Sequence, residues 1–275
     1  MRTKRERTIK YIIMIIVSVI VILPYLWMVS TALKTPSKIF VSPPQWIPDP
    51  IRWENFTELF ERNNYALYLW NSFKVASLTT LGTVVVASMA GYALAKIRFP
   101  GSNFFFLLFL SAMMLPVEVI TIPTFLGLAQ FNLTNSHFAL IVPQIFGMGG
   151  AFGIFMMRQY FITVPNELVE AAKIDGCSNT RTFLKIVLPM ASSTMASLVI
   201  YTFFNSWNDY FLPLIYLSDS KLYTSTLALS LFANEVGVSW NLVMAASLVS
   251  TLPLLIVFFC AQKKFIESLA MSGIK

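Results

Sequence analysis

The stretch NELVEAAKIDG, residues 166–176, carries three acidic residues and one lysine in a chain of which 12% is charged. PQIFGMGGAFGIFMM, residues 143–157, precedes it, and IVLPMASSTMASLVIYTFF, residues 186–204, follows it. Neither neighbour contains a charge, and both are apolar enough to leave water. A compact charged element is therefore expected in water between two segments that belong in a membrane.

The charged stretch has the signals of a helix with a defined start and stop. Pro165 suits the first turn, where its missing N–H is not needed, and Glu167 lies near the positive end of the helix dipole. Gly176 can adopt the left-handed conformation of a C-terminal cap. Ser178 or Asn179 can then cap a second helix. The pattern predicts a helix–glycine–helix elbow.

The composition excludes a soluble domain. Hydrophobic residues make up 56% of the 275 residues, the chain contains 24 phenylalanines, and its mean hydropathy is +0.68. So few charges cannot cover the surface of a soluble domain of this length, so most of the chain is surrounded by lipid. The net charge of +7 does not indicate nucleic acid, because the basic residues are spread over connecting loops. The two cysteines, Cys177 and Cys260, have no disulfide or metal-ligand pattern.

Long charge-free runs without strand alternation predict an all-α integral membrane protein with six transmembrane helices. The first run is 23 residues long, which is longer than the apolar part of a signal peptide and indicates a retained helix. The whole chain, 1–275, is expected to be a single six-span domain with a cytoplasmic loop at 159–189. The predicted spans are residues 11–33, 70–95, 103–126, 137–158, 190–216 and 241–262.

The distribution of lysine and arginine predicts the orientation. These residues concentrate in segments 2–10, 96–98, 158–185 and 263–275, which all lie on one side of a six-span topology. By the positive-inside rule that side is the cytoplasm, so both termini and the charged elbow between spans four and five are expected there. The longest outer connection contains WENFTELFERN, residues 53–63, which is typical of a short amphipathic helix at the outer interface.

The elbow resembles a known motif. EAAKIDG, nine further residues and IVLP are similar to the EAA motif of the permease subunits of ABC importers. The tracts ALAKIRFPG, MLPVEVITIP, WNDYFLPL and SLAMSGIK also lie where the sugar branch of that family has them. The resemblance covers nearly the whole chain and is to the smaller, six-span partner of maltose-type importers. The positions that match the motif are Glu170, Ala171, Ala172, Gly176, Ile186, Leu188 and Pro189.

The resemblance implies that the elbow is a coupling helix that docks on a cytoplasmic ATPase. It implies a second permease subunit in a heterodimer, two ATPase subunits, an external solute-binding protein and a prokaryotic inner membrane. ATP and Mg would bind to the ATPase subunits, because this sequence has no GxxxxGK[ST] loop. The implied ATPase contacts are Glu167, Glu170, Ala171, Ala172, Asp175 and Gly176, with Ser272 and Gly273 in the C-terminal tail.

A substrate path is expected in the outer half of the membrane. Tyr201, Asn205 and either Asn208 or Asp209 share one face of the fifth span, and polar groups at that depth rarely face lipid. Glu118 lies at a similar depth in the third span, where the flanking prolines should bend the helix. Alternatively, these residues join the two permeases by hydrogen bonds. No catalytic or metal-ligating residues are expected.

Other functions remain open at this stage. Aromatic and amide groups suit an uncharged carbohydrate, from a monosaccharide to an oligosaccharide, but a related branch of the family carries glycerol phosphate. An ATP-independent transporter would be expected to contain internal repeats or several buried charges. An intramembrane enzyme would need a nucleophile and base or a metal set, and the single histidine, His137, does not supply one.

Overall fold

The computed structural model describes residues 4–61, 64–234 and 237–272. Within these ranges the chain is almost entirely helical, and its one sheet is a two-stranded hairpin, β1 (Ala233–Asn234) with β2 (Gly237–Val238). The helices are α1 (Lys4–Ala32), α2 (Glu54–Glu61), α3 (Tyr65–Lys96), α4 (Ser102–Ala112), α5 (Val117–Gln130), α6 (His137–Phe146), α7 (Met148–Thr163), α8 (Asn166–Ile174), α9 (Asn179–Thr182), α10 (Leu188–Met190), α11 (Ser192–Asn208), α12 (Phe211–Tyr216), α13 (Ser225–Ala228) and α14 (Trp240–Ser272).

The described part of the chain contains four segments that are long and apolar enough to cross a membrane; they lie in α1, in α3, in α6 with α7, and in α14. The number of candidate spans rises to six if two sharply bent helix pairs each count as one span. The all-α membrane fold predicted from the sequence is therefore confirmed. The first bent pair, α4 with α5, coincides with the third predicted span and bends by 102°. In the second pair, which bends by 78°, α11 lies within the fifth predicted span, 190–216, whereas α9–α10 lies almost wholly in the predicted cytoplasmic loop, 159–189.

Prolines explain both bends. Pro116 has no N–H to donate and disfavours helical backbone at Leu115, so α4 cannot continue through this point; Pro116 itself has an extended ψ of 138° and is the N-cap of α5. Pro189 cannot donate to a carbonyl one turn earlier, and a π-helix, Phe183–Val187, accommodates it. In this π-helix the N–H of Leu188 bonds to the carbonyl of Phe183, five residues back.

The contacts divide the chain into two compact units, Met1–Leu67 with Ala228–Leu252, and Tyr68–Leu227 with Pro253–Lys275. The first unit contains α1, α2 and the start of α14. Asn55 of α2 is fully buried, and its amide donates to the carbonyls of Ala32 and Lys34. Asn241 of α14 donates to the Asn55 side-chain oxygen over 2.9 Å.

The second unit is built around α7, which packs against α4, α6 and α11. Small residues permit this packing: a Cβ on Gly153 would lie 2.9 Å from the Cβ of Ala87 and 3.3 Å from the side chain of Leu198. Likewise, a Cβ on Gly91 would lie 2.8 Å from Met157. The glycine-rich tract of the fourth span therefore serves close helix packing, as its small residues predicted.

Candidate functional site: a helix–glycine–helix elbow and a cavity among the spans

The helix α8 has one face against the chain and one face open. Val169 and Ala172 are buried, with exposed fractions of 6% and 3%. Ile174 is 86% exposed and Leu168 is 41% exposed. The other residues that face outward are Glu167, Glu170, Ala171, Lys173 and Asp175. The open face therefore combines acidic and apolar side chains, and of the six docking residues implied by the resemblance, Ala172 packs inward instead.

The turn after α8 is a Schellman motif. Gly176 has a φ of +79°, and its N–H bonds to the carbonyl of Lys173, while the N–H of Cys177 bonds to the carbonyl of Ala172. The Ser178 hydroxyl then accepts from the N–H of Arg181 and caps α9. The glycine stop and the serine cap predicted from the sequence are both confirmed.

Lys96, the last residue of α3, fixes the entry to α8. Its ammonium donates to the carbonyl of Val164 over 2.5 Å and to the side-chain oxygen of Asn166 over 2.8 Å. Val164 follows the end of α7, where a cation interacts favourably with the helix dipole. One side chain thereby connects α3, the end of α7 and the first residue of α8.

An aromatic cluster lies beneath the elbow. Tyr92 is 6.0 Å from Phe161 and 5.0 Å from Phe183 between ring centres, and all three rings are buried. Val169 of α8 belongs to the same core. Because Phe183 begins the π-helix that leads towards α11, the elbow and this π-helix pack on the same rings of α3 and α7. Displacement of the elbow would therefore disturb the membrane-embedded helices.

A second feature is a cavity of about 430 Å³ within the second unit, bounded by α3, α5, α6, α7, α11 and α12. Its aromatic wall includes Phe152 and Tyr201, whose ring centres are 4.4 Å apart. The lining residues are Thr79, Met113, Val117, Ile120, Thr121, Thr124, Pro143, Gln144, Gly149, Phe152, Tyr201, Thr202, Asn205, Ser206, Asp209, Phe211, Leu212 and Tyr216.

Asp209 carries the one formal charge among the described residues of this lining. One carboxylate oxygen accepts from the N–H groups of Phe211 and Leu212 over 3.0 and 3.2 Å, and thereby caps α12. The other accepts from the Gln144 amide over 3.3 Å and connects α12 to α6. The carboxyl group accepts in all three of these bonds and thereby holds α6 and the start of α12 together.

The cavity includes part of the predicted substrate path. Tyr201, Asn205 and Asp209 line it together, at the i, i+4, i+8 spacing predicted from the sequence. Asn208 is absent from the lining and bonds back to the carbonyl of Phe204. Glu118 is exposed and also lies outside the lining.

The placement of Glu118 follows from the geometry of α5. The residues of α5 that line the cavity are Val117, Ile120, Thr121 and Thr124. These positions are spaced i, i+3, i+4 and i+7, so they form one helix face. Glu118 follows Val117 by one residue, or about 100° around the helix, and projects from a neighbouring face.

Sequence reasoning missed Gln144 and the hydroxyls of the cavity. Gln144 is an isolated amide in a charge-free span, and that isolation was the available signal. Thr121 and Thr124 gave a weaker signal in the sequence, because a threonine in a helix can donate to the carbonyl four residues earlier and then needs no polar partner outside its helix. Both hydroxyls do so in α5. Tyr216 adds a further hydroxyl, which donates to the carbonyl of Thr121 over 3.1 Å.

The ATPase contact predicted for the C-terminal tail lies at the end of the described residues. Ser272 is the last residue of α14, and nothing further is described of its side chain. Gly273 lies outside the described residues. Both remain predictions from the resemblance.

The chain is similar to permeases of several transport systems. It is 36% identical over 269 residues to the sn-glycerol-3-phosphate transport system permease protein UgpE of Yersinia pestis bv. Antiqua, covering 94% of this chain and 95% of that protein. It is 33% identical over 229 residues to the arabinooligosaccharides transport system permease protein AraQ of Halalkalibacterium halodurans, covering 83% and 81%.

Solved structures show the same fold. A bacterial ABC transporter involved in the import of the acidic polysaccharide alginate has a chain that matches with a TM-score of 0.82 at 19% identity, over 96% of this chain and 99% of that one. A bacterial alginate ABC transporter in complex with an alginate pentasaccharide-bound periplasmic protein matches with a TM-score of 0.63 at 16% identity, over 93% of each chain.

Residues 83–269 match the family model described as the inner membrane component of binding-protein-dependent transport systems. This range contains both the elbow and the residues that line the cavity on α5, α6, α7, α11 and α12. The chain therefore belongs to the family of binding-protein-dependent transport system inner membrane components, as a multi-pass permease subunit of an ABC importer.

Proposed function

We propose that this permease transmits ATPase closure to the membrane through the exposed face of α8. The observation that carries the proposal is the two-sided elbow: Glu167, Glu170 and Ile174 point outward, while Val169 packs into the core that contains Tyr92 and Phe161. The outer face offers charge and apolar area to a partner. The inner face provides a direct mechanical path to α3 and α7.

The partners follow from this role. ATP and Mg bind to two cytoplasmic ATPase subunits, which hydrolyse the nucleotide, since this sequence contains no phosphate-binding loop of the GxxxxGK[ST] type. A second permease subunit forms a heterodimer with this chain and completes the translocation path. An external binding protein delivers the cargo, in line with the family's dependence on such proteins. Both termini lie in the cytoplasm of a prokaryote.

The cargo that the cavity supports best is an uncharged carbohydrate. Its lining offers the Asn205 amide, threonine hydroxyls and the Phe152–Tyr201 ring pair, which suit sugar hydroxyls and sugar C–H faces. The relative AraQ is named for arabinooligosaccharides. A phosphate in this cavity would lie close to the carboxylate of Asp209, and the described lining has no cationic side chain to balance the two negative charges. Repulsion between them would be strong in a site of low dielectric constant.

A glycerol-phosphate cargo is the second candidate, because UgpE is named for sn-glycerol 3-phosphate and shares 36% identity with this chain. Uptake assays with the purified importer and its binding protein distinguish the two. The carbohydrate proposal predicts that neutral sugars compete for uptake and that glycerol 3-phosphate does not. Competition by glycerol 3-phosphate alone would establish the second candidate.

The docking proposal is tested with Gly176→Val. A branched side chain at a φ of +79° should distort the Schellman turn and release the ATPase from an otherwise inserted protein. Gly237→Val is the matched control, because Gly237 also has a positive φ, +139°, and is not part of the elbow. We expect the ATPase to co-purify with the control and not with Gly176→Val. Equal retention by both variants would refute docking through the elbow.

A further inference from the structure

The segment between the first span and α2 exposes an unusual amount of apolar surface. In residues 40–53, which we term the outer segment, Ile47 is 80% exposed, Phe40 is 79% exposed and Trp53 is 65% exposed. Trp46 and Ile51 are each about half exposed. Five large apolar side chains within so short a segment form a surface that a water-facing loop would not normally present.

This segment is held firmly against two spans. Beyond the buried amide of Asn55, the N–H of Arg52 donates to the carbonyl of Leu33 over 2.9 Å. At the other end, the rings of Phe40 and Trp240 are 6.4 Å apart. Trp240 is the first residue of α14 and Leu33 follows the last residue of α1. The outer segment therefore runs between the outer ends of the first and last spans.

The contacts also give its depth. The ring of Trp46 is 4.9 Å from that of Trp27, and its carbonyl accepts from the Ser30 hydroxyl over 2.5 Å. Trp27 lies five residues before the end of α1, or about 7 Å along the helix axis. The segment thus folds back beside the last turns of α1. The headgroup region of a bilayer occupies about 5–7 Å on each side of the hydrocarbon core.

We propose that the outer segment is seated in the headgroup layer of the outer leaflet, with Phe40, Ile47 and Trp53 against lipid. Residues 39–48 contain no charge, and aromatic residues are enriched at this depth in membrane proteins. Two of the nearby charges bind to the chain itself: Lys38 donates to the carbonyl of Asp49, and Arg52 pairs with Glu58 at 3.7 Å. The carboxylate of Asp49 is exposed and can reach water at the edge of the headgroup layer.

Lipid is the occupant because the exposed side chains continue the membrane-embedded surface of α1. Leu23 and Leu26, just before Trp27, are 46% and 55% exposed. The helix that follows, α2, is more polar, since its exposed residues are Glu54, Thr57, Phe60 and Glu61. The exposed side chains of the outer segment therefore resemble those of the membrane-embedded α1, and differ from the mostly polar ones of α2. The choice of the outer leaflet rests on the topology in the proposed function, whereas the depth of the segment requires only the membrane spans and neither the proposed cargo nor the docking face.

Spin labels test the depth in the complete importer, reconstituted in nanodiscs of phosphatidylcholine and phosphatidylglycerol. Cys177 and Cys260 are first replaced with serine and alanine, and ATPase activity is checked to show that the complex is intact. One label is then placed through Ile47→Cys and a matched label through Thr57→Cys on α2. Collisions with molecular oxygen, which partitions into lipid, are compared with collisions with a water-soluble nickel chelate.

The proposal predicts that oxygen dominates at position 47 and that the nickel chelate dominates at position 57. Dominance of the nickel chelate at both positions would place the outer segment in water and overturn the proposal. Shielding of position 47 from both reagents would also overturn it, because a protein partner would then cover the segment. Neither readout depends on transport, so a failure here is distinguishable from a failure of the proposed function.

Discussion

The ammonium of Lys96 lies 2.8 Å from the side-chain oxygen of Asn166, so the last residue of the long helix α3 holds the first residue of α8. The same ammonium also caps the end of α7 through the carbonyl of Val164. A hydrogen bond from a charged donor contributes about 1.5–3 kcal/mol, so this pair is able to fix the position of the elbow.

Replacing Lys96 with methionine is expected to loosen the elbow without changing its exposed face. The apolar stem remains and both hydrogen bonds are lost, so ATPase activity should respond less to the loaded binding protein. Lys96→Arg keeps a cationic donor and should restore part of the response. Full stimulation of ATPase activity in Lys96→Met would show that this contact does not position α8.

Close packing at Gly153 makes a prediction about stability. Gly153→Ala places a Cβ 2.9 Å from the Cβ of Ala87, and overpacking of this kind typically costs about 1–3 kcal/mol. Gly127→Ala is the matched control, since a Cβ there would meet no atom within 4 Å. Thermal unfolding in detergent should give a lower midpoint for Gly153→Ala and an unchanged or higher midpoint for Gly127→Ala. Equal midpoints would contradict the packing account.

Asn205 provides a test of the cavity. Its side chain lines the cavity, whereas that of Asn208, three residues later, does not. One lost hydrogen bond to a neutral group is worth on the order of 1 kcal/mol, so Asn205→Ala should raise the transport KM about fivefold. Asn208→Ala and Glu118→Ala should leave KM unchanged. Dissociation of the Asn205→Ala complex in detergent would instead assign this residue to the permease interface.

Lys34 makes a prediction about pH. Its side chain is 1% exposed, its ammonium lies 4.1 Å from the ring centre of Trp27, and the structure gives that nitrogen no hydrogen-bond acceptor. Burial lowers the pKa of Lys34 from its usual 10.5. The unfolded chain therefore binds more protons between the lowered pKa and 10.5, so Lys34 makes folding more favourable as pH rises through that window.

Lys34→Met removes this titration while keeping an apolar stem against Trp27. The variant should be more stable than the natural chain near neutral pH, because desolvation of the ammonium is no longer required. The difference in unfolding midpoint should shrink as pH approaches 10.5. A difference that stays constant across this range would show that Lys34 does not titrate as its burial requires.

The sequence predicted the fold class, the family and the caps of the elbow, because these depend on local chemistry. A run of apolar residues, a glycine at a left-handed position and a serine before a helix act within a few residues. The inward face of α8 was harder to predict. Leu168 and Val169 are adjacent apolar residues, and the position of the aromatic cluster around Phe161 determines that Val169 is the buried one.

The cavity depended on information that the sequence did not contain. Similar depth placed Glu118 with Asn205, but depth does not determine direction: Glu118 projects from a face of α5 next to the one that lines the cavity. Gln144 joins the site through its bond to Asp209, across 65 residues of sequence. Contacts of this kind depend on how helices pack, and helix periodicity alone does not predict them.

Docking of the ATPase on α8 is tested most directly by photocrosslinking in native membranes. A photoreactive amino acid replaces Ile174, which is 86% exposed on the elbow. A second variant carries it at the exposed Thr57, which the proposed topology puts on the outer side. The account predicts an adduct between position 174 and the ATPase subunit, and none from position 57. Absence of an adduct at position 174, in a complex that still imports its cargo, would contradict the central claim.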